Sequence, residues 1–181
     1  MIRDALLQFA NGLNGATTSF TDSPVTGTEV ATNIIDLGVN SGVPSSANGG
    51  GARDIGTGDD PSLELSALVT TAFAGGTSLQ LQLQGAVDNG SGAPSGTWTT
   101  MWTGPAVVEA SLVAGMQLAN IVVPRPAAGQ ALPRFLRLQY ITVGTHTAGA
   151  LTAEIILDRD DQVVGTTGVY SGYPAGLTVA N

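Results

Sequence analysis

Residues 78–85 read SLQLQLQG, which sets Leu79, Leu81 and Leu83 on one side of an extended chain and Gln80, Gln82 and Gln84 on the other. Successive side chains of a strand point to opposite faces, so this period of two is a β signal. The leucines need a core, and the glutamines face either water or another protein surface. The same alternation recurs at 62–70, with Leu63, Leu65, Ala67 and Val69 inward, and at 134–143, with Leu136, Leu138, Tyr140 and Thr142 inward. A fourth alternating run, 151–158, turns Leu151, Ala153, Ile155 and Leu157 the same way. Shorter runs at 32–37, 98–102, 106–112 and 118–123 bring the expected total to about eight strands, separated by Gly, Pro and Asn.

That texture predicts an all-β protein: one jelly-roll antiparallel β-sandwich spanning 1–181, with long connections at 38–61 and 86–97. Another Greek-key sandwich has similar strand content. A chain of this length buries about 70% of its unfolded surface, enough for a core without staples. In the second connection, DNGSG at 88–92 predicts a tight turn, because Asn-Gly readily takes positive φ.

The ends differ from the middle. Ile2, Leu6, Phe9 and Leu13 recur at helical spacing, so residues 1–16 are expected as an arm or a short amphipathic helix. Residues 159–181 follow the last strand without periodicity and are expected as a C-terminal arm, either disordered or ordered by a neighbour.

Composition excludes several classes. Cysteine is absent, which removes disulfides, thiolate nucleophiles and thiolate metal sites. Six arginines, no lysine and fourteen acidic residues give a net charge of -8, a field that repels phosphate backbones and argues against a nucleic-acid partner. No segment approaches the roughly 20 apolar residues of a membrane helix, and no secretory signal pattern opens the chain. The expectation is a protein without a membrane partner, made and used without Sec export.

The search for chemistry returns little. His146, in VGTHTAG, has no cysteine or second histidine to share a relay or a zinc ion, and its Gly and Thr neighbours predict an exposed hairpin turn. A lysine-free chain cannot carry the usual phosphate loop, and no nucleophile elbow occurs. Asp54, Asp59 and Asp60, and Asp158, Asp160 and Asp161, lack calcium-loop spacing and read as solvated loops. The expectation is therefore no enzyme, no cofactor and no metal. Trp98 and Trp102 stand four apart, which in a regular strand puts both, with Thr100, on one face. Exposed, they would stack on sugar rings; buried, they would anchor a core or an interface.

In their order, MIRDALLQFANGL, TNIIDLG, ARDIGTGDD leading into LELSALV, LQLQLQG, LVAGMQLANIVVPRP, RFLRLQYITVGTHTAGALTAEIILDRDDQ and YSGYPAG resemble the jelly-roll capsid cement, or decoration, proteins of tailed bacteriophages. The resemblance implies a structural virion protein, made in the bacterial host cytoplasm, that binds the outer capsid surface. There it would cement neighbouring major capsid proteins against internal DNA pressure. Its partners would be the major capsid protein and copies of itself, as a dimer or trimer. Interface candidates are Leu6, Leu7 and Phe9 near the start, the row Gln80, Gln82 and Gln84, and Tyr170 and Tyr173 in the tail. The rival reading is a receptor- or glycan-binding β-sandwich on a virion or cell surface, using the two tryptophans.

Overall fold

A computed structural model describes residues 7–16, 20–38, 63–124 and 131–157. Seven antiparallel strands appear there: β1 Thr26–Val30, β2 Ile35–Asp36, β3 Leu63–Ala86, β4 Thr99–Thr103, β5 Val107–Val108, β6 Gln117–Val122 and β7 Phe135–Leu157. Hydrogen bonding joins them in the order β1-β7-β3-β4, with β2 on β7 and with β5 and β6 on β3. The all-β expectation holds.

The strand count differs from about eight for a physical reason. Runs 62–70 and 78–85 are one strand, β3, and runs 134–143 and 151–158 are one strand, β7. The intervening TTAFAGGT and GTHTAGA lose alternation, yet they stay paired through four register shifts between Val69 and Ser78. Bulges bend a ribbon sharply, and a cluster of them folds the β3·β7 ribbon back on itself. Leu65, Ala67 and Val69 from one half and Leu79, Leu81 and Leu83 from the other then share one buried core with Leu136, Leu138, Tyr140, Leu151, Ala153 and Ile155. One layer is β1, β7, β3 and β4 with β5; the other is β6 with the first part of β3 and the last part of β7. Run 106–112 pairs only at Val107–Val108 before a 3-10 turn at Glu109–Ser111. Strand β1, TGTEV, carried no alternation to mark it.

The described residues of the N-terminal segment form no α-helix. Gln8 bridges Glu154, the Phe9 amide donates to the Ala153 carbonyl at 2.8 Å, and Gly12 is left-handed, followed by a 3-10 turn at Leu13–Gly15. This arm lies on β7 of its own chain and drives Phe9 into the core, where it is fully buried.

The arm is fastened by Asp22, a fully buried carboxylate. Oδ1 accepts hydrogen bonds from the Asn11 and Leu13 amides at 2.9 and 2.8 Å and from the Thr32 hydroxyl at 2.9 Å. Oδ2 accepts from the Tyr140 hydroxyl at 2.9 Å. Burial, with the Asp22 carboxylate beside it, pushes the Tyr140 phenol well above its usual pKa, so it stays a donor. A buried charge persists only when hydrogen-bonded in this way. Asp22 therefore ties three separate segments to β7.

A second clip holds the 86–97 connection. Arg134 forms a fork with Asp36, at 2.8 and 2.9 Å, and also pairs with Asp88. Burial raises the Asp36 pKa, but the bonds from Arg134 and the Gly38 amide outweigh it and leave it lowered. Asp88 Oδ1 also accepts from the Gly90 and Gly92 amides, both glycines having positive φ, so DNGSG is the turn its residues predict.

Candidate functional site

The outer face of the β1-β7-β3-β4 layer is where the glutamines stand. Directly paired residues of antiparallel strands share a face. Val108, Ser78 and Val143 form one row; Gln80 and Ile141, with Thr28, form the next; Thr103, Gln82, Gln139 and Val30 form the third; Thr100, Gln84 and Arg137 form the fourth; Ala86, Phe135 and Asp36 form a fifth. The surface is made of amides, hydroxyls and aliphatic groups. Val30, Val108 and Val143 are 38%, 57% and 55% exposed, and the described residues of the first four rows include no carboxylate and one cation, Arg137, while Asp36 in the fifth is taken up by Arg134.

The amides are ordered. Gln80 donates to the Gly104 carbonyl at 2.8 Å, and Gln84 donates to Gln139 at 2.9 Å while accepting from Arg137 Nε at 2.8 Å. The Arg137 guanidinium carbon lies 4.2 Å from the centre of the Trp98 ring, a cation–π stack of about 0.5–1 kcal/mol at a partly exposed site. Burial lowers the Arg137 pKa somewhat, but an arginine remains charged.

The two tryptophans do not share a face. Leu83 pairs with Trp102 and Gln84 with Thr100, so Met101 is an extra residue in β4 that reverses the alternation. Trp102 and Met101 pack against the core while Trp98 lies against Arg137. A paired tryptophan platform for sugars is thereby undone by one bulge.

Of the interface candidates, Gln80 and Gln82 are half-buried on the outer face. Gln84 is only 7% exposed, spent on its internal bonds, and Phe9 belongs wholly to this chain's core, so neither is free to anchor a partner. Leu7 is half-buried and packs against the core. Leu6, Tyr170 and Tyr173 lie outside the described residues, as do Asp54, Asp59, Asp60, Asp158, Asp160 and Asp161. No group of three potential metal ligands occurs among the described residues. Arg137 and Gln139 escaped the sequence reading, although the outward set of 134–143 contained both; the sequence singles out Trp98, but as a partner of Trp102 and not of Arg137.

His146 corrects another expectation. It sits inside β7, 3% exposed, edge-on to Phe73 with ring centres 5.0 Å apart and with its amide bonded to the Val25 carbonyl. Among the described residues, neither ring nitrogen has a hydrogen-bonding partner. Burial lowers its pKa, with Glu109 opposing in part. The unfolded chain, near the ordinary value of about 6.5, then binds the proton more readily than the folded one. Stability contributed by neutral His146 is complete above about pH 6.5 and is lost as pH falls from there towards the folded value. Denaturant titrations between pH 7.5 and 5.5 will show a declining midpoint in the native chain and a flatter profile in His146→Met. An equal decline in both would assign the effect to other groups.

A family model described as Bbp16 matches residues 20–155, most of the chain and nearly all of its described strands. The chain belongs to the Bbp16 family. The matched span carries the whole outer face and both halves of the Bbp16 ribbon, β3 and most of β7. Among curated proteins, none matches this Bbp16 chain.

Proposed function

We propose that this Bbp16-family chain is a structural virion protein that binds the outside of a tailed-phage icosahedral shell and cements neighbouring major capsid proteins. The observation that carries the reading is the outer face of the β1-β7-β3-β4 layer. It is a broad, hydrogen-bonded, nearly uncharged sheet surface in a chain of net charge -8. Amides surrender hydration without the cost of burying a charge, which suits a surface that meets protein. The acidity of the whole chain favours the outer side of the shell over its DNA-filled lumen. The end-to-end resemblance to capsid cement proteins points the same way.

The mechanism is mechanical. A rigid sandwich that touches two capsid subunits forces any separation of those subunits to break its own contacts as well. Linked contacts raise avidity even where each is weak. In the test, purified chain is added to heat-challenged shells that lack it. It is expected to co-sediment with them at a saturating ratio and to raise the temperature at which they release DNA. Saturable binding without any gain in shell stability would make it an ornament or receptor binder rather than a cement. No binding would remove the reading.

A further inference from the structure

We infer that Arg137 is a preorganised carboxylate receptor at the edge of the outer face, and that its occupant is an acidic side chain of an apposed protein subunit. The inference rests on the capsid reading for the identity of that subunit, but the site itself rests on geometry. Arg137 is held on two sides: its Nε is bonded to Gln84 Oε1 at 2.8 Å and its guanidinium carbon lies over the Trp98 ring, 4.2 Å from the centre. Its terminal amino groups, the pair that grips a carboxylate most effectively, make no bond within the described chain. Arg134, by contrast, is spent on Asp36 and Asp88.

An unpaired guanidinium, fixed in place, in a protein with fourteen acidic residues is charge complementarity awaiting a partner. Ordering of the side chain before binding reduces the entropy that docking would otherwise cost. A face-to-face pairing of two copies does not supply the missing group, because the carboxylate in the row beside Arg137, Asp36, is already held by Arg134 of its own chain. The acid must come from a different protein or from a different surface.

Two measurements test this. In the first, native chain, Arg137→Gln and Arg137→Lys are compared for shell binding. The glutamine variant should bind at least about tenfold more weakly at unchanged melting temperature, with the lysine variant between, because a charge without the planar fork recovers only part of the contact. Equal binding by all three overturns the site. In the second, the Arg Nε–H and Trp indole N–H resonances of the native chain are followed by NMR. Capped Gly-Glu-Gly is titrated against capped Gly-Gln-Gly at low salt. Arg137 and Trp98 signals should move saturably with the acidic peptide alone, and further than those of the other five arginines. A shift no larger than theirs overturns the receptor even if the chain binds shells. A clear shift in a chain that binds no shell keeps the receptor and discards the capsid reading. Response to an acidic sugar but not to the peptide overturns the protein partner.

Discussion

Asp22→Ala is expected to be the most damaging single substitution in the described structure. It deletes the acceptor for the Asn11 and Leu13 amides, the Thr32 hydroxyl and the Tyr140 hydroxyl, and leaves the last of these in a fully buried site. Each stranded buried donor costs roughly 1–3 kcal/mol, and removal of one member of a buried charged network commonly costs about 3–5 kcal/mol. For a chain of this size that is a fall in melting temperature of roughly 6–20 °C. Tyr140→Phe removes one donor and spares the rest, so its loss should be smaller, about 1.5–3 kcal/mol. Calorimetry of both variants checks the order. If Tyr140→Phe proved as costly as Asp22→Ala, the hydroxyl contact would outweigh the knot at Asn11, Leu13 and Thr32, contrary to the account.

Gly76→Ala is the second. A Cβ on Gly76 would stand 1.6 Å from His146 Cδ2 and 2.0 Å from Nε2, well inside contact distance. The imidazole cannot turn aside freely, since it is buried edge-on to Phe73 and its backbone is bonded to Val25. Forced overpacking costs about 1–3 kcal/mol, and this site lies where the ribbon bends between its two halves. The double variant Gly76→Ala with His146→Ala should recover a good part of the loss, since it removes the clash at the price of a small cavity. Gly90→Ala, whose Cβ would meet nothing within 4 Å, pays only for its positive φ of 88° and should cost less. Chemical denaturation of these three variants, of His146→Ala alone and of the native chain separates the cases: additive losses in the double variant would mean that His146 and Gly76 do not oppose one another.

Much of the fold was legible where alternation was clean. Leu79, Leu81, Leu83, Leu136, Leu138 and Tyr140 are buried as their period of two requires. The corner was not, because TTAFAGGT and GTHTAGA resemble turns by composition and remain strands only through pairing with each other. His146 looked exposed for the same reason: the space it fills exists because Gly76 on the opposite strand lacks a side chain. Asp22 could not be recognised, since its donors come from backbone amides, from the Thr32 hydroxyl and from Tyr140, 118 positions away. The site was half visible. The glutamine row could be read from SLQLQLQG, but the position of Trp98 over Arg137 depends on the extra residue at Met101. A one-residue bulge leaves no mark that a regular period would reveal.

Quantitative mass spectrometry of purified source particles tests the central claim most directly, by counting this chain against the major capsid protein. The cement account predicts a copy number comparable with that of the capsid protein, as a molecule spread over the whole shell requires. A few copies per particle, or none, would contradict it.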